Sequence, residues 1–342
     1  MSATDLAAVA QAMVARGRGV LAADESNATI TKRFGALDIE STEENRRAYR
    51  DTLLGSPGIE EYISGVILYD ETIRQSSADG TPFPKMLQTK GILPGIKVDT
   101  GSKPLANDND EQVTEGLDGL RERIEEYVSL GAKFAKWRAV LIIDEARGFP
   151  SDYALHCNSH ALARYGALCQ EGGLVPIIEP EVMMDGSNDI DLCYDVTMRA
   201  QRRVFQELDR QQVDPRGMIL KPNMVISGKK CDRQAGVEEV AEKTLTCLRR
   251  TVPAAVPGIA FLSGGQSAVV ATEHLNAMNA IGNVPWNLTF SYGRALQDPS
   301  LKAWGGKAEN RDAGQKALAL RAKANSLATS ASYKPDMEED AA

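Results

Sequence analysis

The stretch Gly217-Met-Ile-Leu-Lys-Pro-Asn-Met-Val225 is a short apolar run that a single lysine, Lys221, interrupts. Its length and composition predict a buried β-strand. A lysine is rarely buried, because removing its ammonium group from water costs free energy. Burial favours the neutral amine, which is a nucleophile towards carbonyl groups. Taken alone, Lys221 is better explained as an edge-strand lysine with its ammonium group in water, so the other strands decide between the two interpretations.

Further apolar runs rich in valine and isoleucine alternate with longer helical patterns, which predicts βαβ units and a parallel sheet. About eight such units indicate an α/β protein built as a single (β/α)8 barrel, or TIM barrel. The alternative is a doubly wound open sheet, but no G-x-G-x-x-G sequence follows the first strand. The predicted strands are Gly19–Asp24, Ile63–Asp70, Gly95–Asp99, Phe134–Leu141, Leu174–Val182, Gly217–Val225, Gly258–Gly265 and Asn287–Gly293.

Helical periods fill the intervals between these strands. Ser41 and Glu44 fit a capping box for a helix that runs through Leu54. No linker rich in serine or glycine divides the chain, so residues 1–326 are predicted to form one catalytic barrel domain. Residues 327–342 are predicted to form a short, mobile, acidic tail, with periodicity lost from about Asn325. Spacings of three and four predict another helix on Leu117, Leu120, Ile124 and Tyr127.

The composition excludes several classes of protein. The chain has 342 residues and a formal net charge of −8, whereas nucleic-acid-binding proteins are usually basic. Its five cysteines are dispersed without C-x-x-C spacing, as is typical of reduced thiols in the cytoplasm. No apolar run is long enough to span a membrane, and Asp5 lies in an amphipathic N-terminal segment rather than in a signal peptide. These features predict a cytoplasmic protein that binds neither nucleic acid nor membrane.

Histidines are too few to suggest a metal centre. His156 and His160 lie four residues apart and can share a helix face, but no third ligand, H-E-x-x-H motif or cysteine pair accompanies them. Packing on a helix face is the better interpretation of this pair. We therefore expect no metal and no cofactor.

Polar side chains stand at the carboxyl ends of the predicted strands, where barrel enzymes have their active sites. Because residues i and i+2 of a strand share a face, Lys136 and Arg138 can point into the barrel mouth together. Any single pair of these charged residues could be an ordinary salt bridge that closes the barrel. Salt bridges alone explain less well why so many strands carry polar groups at the same end. The charged residues concerned are Asp24, Lys97, Lys136, Arg138, Glu179, Glu181 and Lys221.

Two prolines set the depth of the central groups. Pro180 and Pro222 cannot donate to a sheet ladder, so Glu179 and Lys221 before them should lie where strand pairing ends. A lysine with a glutamate and an aspartate supplies a nucleophilic amine together with proton donors and acceptors. The like charge of Lys136 favours a neutral amine at Lys221. The local excess of basic groups in an acidic chain predicts an anionic substrate.

Glycines and an arginine follow the last two predicted strands, in the segments Ser263-Gly264-Gly265 and Gly293-Arg294. The loops after these strands form the usual phosphate site of a barrel. Glycine lets backbone N–H groups approach a phosphate, and arginine can hold it with two hydrogen bonds. Two tight turns chosen for packing are the alternative.

The motifs along the chain resemble those of class I fructose-1,6-bisphosphate aldolases, in order and with matching spacing, from about Gly17 to Ser326. The resemblance implies a (β/α)8 barrel, a glycolytic or gluconeogenic role and usually a homotetramer. It also implies reversible cleavage of fructose 1,6-bisphosphate to dihydroxyacetone phosphate and glyceraldehyde 3-phosphate through a lysine Schiff base, without metal. The motifs are Leu21-Ala-Ala-Asp-Glu-Ser26, Gly95-Ile-Lys-Val-Asp99, Phe134-Ala-Lys-Trp-Arg138, Pro176-Ile-Ile-Glu-Pro-Glu181, Leu220-Lys-Pro-Asn-Met224, Phe261-Leu-Ser-Gly-Gly-Gln-Ser267 and Phe290-Ser-Tyr-Gly-Arg-Ala-Leu296.

The same motifs imply a role for each site residue. Lys221 resembles the Schiff-base lysine, and Glu179 resembles the acid and base of imine formation. Asp24 resembles the base that takes the C4 hydroxyl proton, Lys136 a residue that assists imine chemistry electrostatically, and Glu181 a supporting carboxylate. The residues implied near the phosphate next to the ketone are Ser263, Gly264, Gly293 and Arg294, and those implied near the other phosphate are Lys97, Arg138, Arg33 and Thr29. Gly265 and Ser291 are further candidates for substrate or phosphate binding.

One departure from the family pattern concerns proton transfer to the enamine. Well-known animal members end in a tyrosine that helps this step, whereas this sequence ends in Ala342 and has Tyr333 near the start of the tail. We therefore expect Glu179, acting with water, to carry that proton. Two alternatives to the main function stay open: a lysine-dependent aldolase for sedoheptulose bisphosphate or fructose 1-phosphate, and a non-catalytic scaffold on the same barrel.

Overall fold

Eight parallel strands form a closed barrel in the computed structural model of the chain, which describes residues 2–107 and 110–341. Each strand pairs with the next barrel strand in sequence, and the last pairs with the first. The barrel strands are β1 (Gly19–Ala23), β2 (Ile63–Leu68), β3 (Leu93–Lys97), β6 (Phe134–Leu141), β7 (Val175–Val182), β8 (Ile219–Leu220), β9 (Gly258–Phe261) and β10 (Asn287–Tyr292). The predicted (β/α)8 barrel is therefore confirmed.

The remaining elements surround this barrel. An antiparallel hairpin of β4 (Gly101–Pro104) and β5 (Gln112–Glu115) is inserted between β3 and β6. The helices are α1 (Ala3–Met13), α2 (Asn27–Gly35), α3 (Glu43–Leu54), α4 (Asp70–Ile73), α5 (Phe83–Thr89), α6 (Leu120–Ser129), α7 (Asp152–Glu171), α8 (Ile190–Arg210), α9 (Val237–Thr251), α10 (Ala268–Ile281), α11 (Arg294–Trp304) and α12 (Arg311–Ala328).

The amino-terminal half of the barrel interior is tightly filled. The ring of Phe134, at the start of β6, lies so close to β3 that a Cβ added to Gly95 would be 2.2 Å from it, so no larger residue fits there. Met13 of α1 packs in the same cluster as Phe134 and Ile219, which places α1 across the amino end of the barrel. Open space is therefore found at the carboxyl end.

Strand boundaries differ from the sequence predictions mainly where proline or glycine intervenes. The prediction of Phe134–Leu141 is confirmed residue by residue, whereas only Ile219–Leu220 pairs within the predicted strand Gly217–Val225. Pro222 has no N–H to donate, so the ladder ends close to it, although the Lys221 N–H still donates to the Ile178 carbonyl at 2.8 Å. The strand predicted as Leu174–Val182 begins one residue later, at Val175, and the strand predicted as Gly95–Asp99 lies two residues earlier, at Leu93–Lys97. The remaining four predicted strands end one to four residues earlier than predicted, as at Gly258–Phe261.

Two helix starts were predicted wrongly. Helix α3 is capped by Thr42, whose side chain accepts a hydrogen bond from the Asn45 N–H at 3.1 Å, and not by Ser41. The Ser41 hydroxyl instead accepts a hydrogen bond from the Thr31 side chain at 2.7 Å, and Glu44 pairs with Arg47. Helix α6 begins at Leu120, so Leu117 lies outside it.

The segment after the barrel is helical further than predicted, because α12 continues through Ala328. Beyond it, Tyr333 is buried, its N–H donates to the Asn276 side chain at 3.0 Å, and its hydroxyl donates to Glu338 at 2.6 Å. Glu338 also forms an ion pair with buried Arg321 of α12. The last residue of the predicted tail, Ala342, lies outside the described residues, and the division of the chain at residue 326 stays a prediction.

Candidate active site

The carboxyl ends of the barrel strands surround a cavity of about 760 Å³. Every site residue predicted from the sequence lines this cavity except Gly265, which lies in the adjoining loop. The residues brought together are Asp24, Thr29, Arg33, Lys97, Lys136, Arg138, Glu179, Glu181, Lys221, Ser263, Gly264, Ser291, Gly293 and Arg294. Elements from both ends of the sequence therefore meet at one site.

Four buried or nearly buried charges form a continuous chain at the floor of the cavity. The Lys221 ammonium lies 3.3 Å from one carboxylate oxygen of Glu179. Lys136 lies 3.5 Å from the other oxygen of Glu179 and 2.8 Å from Asp24. Only 3% of Lys221 is exposed, so its amine is buried rather than extended into bulk water. The edge-strand interpretation of Lys221 is therefore wrong.

Strand register explains why these groups converge. Lys136 pairs in register with Ile177 of β7, and Arg138 pairs with Glu179. Alternation then directs Lys136 and Arg138 to the same side of β6, towards the cavity. Asp24 follows the last residue of β1, which brings its carboxylate to the ammonium group of Lys136.

The ion pairs keep Asp24 and Lys136 charged despite their burial. Burial by itself would raise the pKa of Asp24, but the positive charges of Lys136 and Lys221 outweigh this effect and hold that pKa well below its usual value. Burial would likewise lower the pKa of Lys136, but the carboxylates of Asp24, Glu179 and Asp99 raise it above its ordinary value. Asp24 is therefore an ionised acceptor at neutral pH, and Lys136 is a fixed positive charge.

Basic groups around the cavity rim are mostly paired with carboxylates. Arg138 forms an ion pair with Glu181, and Lys97 with Asp99. Arg33 contacts Glu25 at 2.8 Å. These positive charges are thus held in fixed places while part of their charge is already balanced.

Sequence reasoning missed several cavity residues. Glu25 is buried, and it is held by Arg50 at 2.7 Å and by the Gln297 side chain at 2.7 Å. Its position directly after Asp24 was the available signal, and the two-residue spacing of Asp99 from Lys97 was another. Other cavity residues outside the prediction are Ala22, Ser26, Lys32, Ala36, Tyr69, Thr100, Gly101, Ser102, Val140 and Leu262.

The loop after β9 has a backbone conformation that favours glycine. Gly264 and Gly265 both have positive φ, at +57° and +78°. Next to them, the Gln266 backbone N–H and side-chain amide each donate to the Ser263 carbonyl at 3.0 Å. The Gln266 side-chain oxygen meets His274 Nδ1 at 2.6 Å, and burial lowers the pKa of His274 to about 4, so this ring is neutral at pH 7 and donates from Nδ1.

Unsatisfied polar groups face the cavity across this loop. The buried Ser291 hydroxyl has no hydrogen-bond partner among the described residues. No side chain of the described residues caps α11, which begins after Gly293, so N–H groups at the start of that helix remain available. Arg294 is exposed and forms no salt bridge within the described part of the chain. This corner of the cavity is therefore suited to an anion such as a phosphate.

The described residues contain neither a metal-binding cluster nor a membrane-spanning helix. No group of three or more histidine, cysteine, aspartate or glutamate side chains among them is arranged to hold a metal ion. No helix in residues 2–107 and 110–341 is both long and apolar enough to cross a membrane.

Comparison with known proteins identifies the family. The family model of the glycolytic fructose-bisphosphate aldolases of class I matches residues 5–342. The chain belongs to the class I fructose-bisphosphate aldolase family. This class I aldolase is 57% identical over 335 residues to a probable class 1 fructose-bisphosphate aldolase of Xanthomonas campestris, covering 98% of this chain and 100% of the relative. It is 52% identical over 323 residues to a cytosolic fructose-bisphosphate aldolase of Arabidopsis thaliana, covering 94% and 82% of the two chains.

A solved structure shares the whole fold of this class I aldolase. It is the fructose-bisphosphate aldolase of Plasmodium falciparum, crystallised in a ternary complex with TRAP and a small-molecule inhibitor. The two structures superpose with a TM-score of 0.96 at 48% identity, over 97% of this chain and 95% of the other. The barrel and the family assignment thus agree.

Proposed function

We propose that this class I aldolase reversibly cleaves fructose 1,6-bisphosphate to dihydroxyacetone phosphate and glyceraldehyde 3-phosphate through a Schiff base on Lys221. The observation that carries the proposal is the buried Lys221 amine, 3.3 Å from Glu179 at the floor of a cavity rimmed by basic groups. A buried amine beside a proton donor and acceptor is suited to imine formation with a ketone. The basic rim is suited to a substrate with two phosphates.

Glu179 and Asp24 transfer protons at different steps of the proposed reaction. Lys221 first passes a proton to Glu179, which lies 3.3 Å away, and the resulting neutral amine attacks the C2 carbonyl. Glu179 then gives this proton to the C2 hydroxyl, which leaves as water, and the protonated imine remains. Asp24 then takes the C4 hydroxyl proton while the C3–C4 bond breaks. Glyceraldehyde 3-phosphate leaves with a new carbonyl group, and the bonding electrons pass into the imine to form an enamine. Protonation of C3 and addition of water release dihydroxyacetone phosphate and the free amine.

Lys136 acts in this proposal without entering the covalent chemistry. It lies 2.8 Å from Asp24 and 3.5 Å from Glu179, so its fixed charge holds the carboxylates of both residues in position. Glu181 plays a supporting part, because its ion pair orients Arg138 at the rim. Loss of Lys136 would leave Asp24 and Glu179 with less compensation for their burial.

The two phosphates are assigned to opposite sides of the cavity. We assign the phosphate next to the ketone to the loops after β9 and β10, because Arg294 there has a charge free of any salt bridge in the described residues. The other phosphate is assigned to the basic groups that are already paired with carboxylates. The first set is Ser263, Gly264, Gly265, Ser291, Gly293 and Arg294, and the second is Thr29, Arg33, Lys97 and Arg138.

Replacing Arg294 by alanine should weaken substrate binding through the phosphate. The loss of charge-assisted hydrogen bonds worth about 1.5–3 kcal/mol should raise KM for fructose 1,6-bisphosphate roughly 10- to 100-fold. An unphosphorylated analogue should be affected far less in the same steady-state assay. Lys302→Ala, at the other end of α11, is the matched control. Equal effects on both substrates would indicate that Arg294 has a structural role.

Cleavage should proceed without a metal ion. In this proposal the imine, rather than a bound cation, accepts the electrons of the broken bond. We expect turnover of fructose 1,6-bisphosphate in excess EDTA to equal turnover in untreated buffer. Loss of activity that added zinc restores would contradict the Schiff-base route.

The proton that the enamine requires is assigned to Glu179 acting with water. Tyr333 is buried, and its hydroxyl group donates a hydrogen bond to Glu338, which supports a proton carrier inside the barrel rather than Tyr333.

We further propose a homotetramer acting in the cytoplasm, in glycolysis or gluconeogenesis. The cytosolic Arabidopsis relative supports the compartment, and light scattering of the purified protein tests the assembly.

A further inference from the structure

The segment that joins β8 to α9 carries a lysine whose backbone position is rigidly fixed. The Lys229 N–H donates to the Met184 carbonyl at 2.7 Å, and the Lys230 N–H donates to the Gly186 carbonyl at 3.0 Å. Gly228 approaches Gly186 so closely that an added Cβ would lie 2.3 Å from its carbonyl oxygen. Backbone hydrogen bonds therefore hold the loops after β7 and β8 together, and they fix the position of the Lys229 backbone.

The side chain of Lys229 reaches the loop to which we assigned the ketone-side phosphate. A Cβ added to Gly265 would lie 2.9 Å from Lys229 Nζ and 3.2 Å from Arg294 Nη2. Both distances are measured to the same point, so two cationic groups approach one glycine of this loop from different elements. Like charges repel unless an anion lies near both, so their convergence indicates an anion at this place.

Asp185 competes only weakly with such an anion for the ammonium group of Lys229. Its ammonium lies 3.0 Å from Asp185, and the side chains of Lys229 and Asp185 are 43% and 59% exposed. Ion pairs this exposed contribute little and exchange readily with solvent. A phosphate monoester carries about −1.5 to −2 charges at neutral pH, against −1 for one carboxylate, and therefore competes well for the same ammonium group.

We propose that Lys229 is a further binding residue for the ketone-side phosphate and exchanges Asp185 for this phosphate when substrate enters. This inference rests on the proposed function, which locates that phosphate at Gly264, Gly265 and Arg294. Asp185 is then a competitor that holds Lys229 near the loop in the empty site. Lys230, the next residue, is exposed, and no side chain or backbone group of residues 2–107 and 110–341 forms a hydrogen bond or ion pair with its side chain, so it provides a control of equal charge.

The experiment compares three variants of the full-length enzyme by KM for fructose 1,6-bisphosphate and by competitive inhibition with inorganic phosphate. Loss of one charge-assisted contact in Lys229→Met should raise KM and the phosphate inhibition constant about five- to tenfold, with kcat nearly unchanged. Lys230→Met should leave both constants unchanged. Asp185→Asn should lower both about two- to threefold, because it removes a weak exposed competitor.

The opposite signs of the Lys229 and Asp185 variants separate binding from structure. If the pair only stabilised the two loops, both substitutions would weaken phosphate binding, and the inference would be overturned. Equal effects of Lys229→Met and Lys230→Met would also overturn it, because they would reveal a general effect of charge. Arg294→Ala serves as the reference. A large effect of Arg294→Ala with none of Lys229→Met refutes this inference alone, whereas no effect of Arg294→Ala refutes the proposed phosphate position and the inference with it.

Discussion

Replacing Lys221 by methionine should abolish cleavage of fructose 1,6-bisphosphate. Methionine is similar in length but has no amine, so the imine that accepts the electrons of the C3–C4 bond cannot form. Removal of a covalent nucleophile costs about 10⁶-fold in a well-studied enzyme, and we expect a loss of that order here. The fold should persist, because Glu179 keeps Lys136 as a partner at 3.5 Å when Lys221 is lost.

Borohydride trapping makes this prediction specific to one residue. Reduction of the wild-type enzyme with dihydroxyacetone phosphate should add the reduced ligand to the peptide that contains Lys221, and the Lys221→Met variant should acquire no adduct. Lys133→Met is a suitable control, since Lys133 precedes β6 at the opposite end of the barrel. An adduct on Lys97 or Lys136 in the wild-type enzyme would show that the nucleophile has been assigned wrongly.

The barrel could be predicted from sequence because its strands are buried on both faces. The run Phe134–Leu141 forms a strand of the predicted length, since its pairing with β7 is unbroken along all eight residues. The run around Lys221 was identified as a strand, but its pairing covers only Ile219–Leu220. Apolar composition indicates burial, whereas the length of the ladder depends on N–H groups that Pro222 lacks.

The site could be predicted as a set of residues but not as a set of contacts. The carboxyl ends of barrel strands converge by topology, so residues such as Asp24, Glu179 and Lys221 were certain to meet once the strands were known. Their partners depend on side-chain geometry. The approach of Lys229 to Gly265 joins loops from separate strands, and no periodic pattern reports it. Whether Thr42 or Ser41 caps α3 likewise depends on side-chain geometry, and the structure has Thr42 as the cap.

Replacing Asp24 by asparagine should separate imine formation from bond cleavage. Asparagine keeps the shape of the side chain but cannot accept the C4 hydroxyl proton. Loss of a positioned general base typically costs 10²–10⁴-fold, and we expect kcat to fall by about that factor. Imine formation uses Lys221 and Glu179 instead, so borohydride should still trap dihydroxyacetone phosphate on the variant. Asp38→Asn, at an exposed position with positive φ that asparagine tolerates, is the control.

The ion pair with Lys136 decides whether Asp24 can act as this base at neutral pH. The positive charges of Lys136 and Lys221 overcome the effect of burial and lower the pKa of Asp24, so the carboxylate is ionised throughout the neutral range. Wild-type kcat should therefore show no loss from Asp24 protonation between pH 5 and 8, a range chosen well above the ordinary pKa of about 3.9. In Lys136→Met the lost charge should raise the pKa of Asp24 and introduce a decline of kcat on the acid side.

Two results for Asp24→Asn would contradict the assigned role of Asp24. If this variant retained full kcat, another group would have to accept the C4 hydroxyl proton. If it lost borohydride trapping as well as cleavage, Asp24 would be required for imine formation itself.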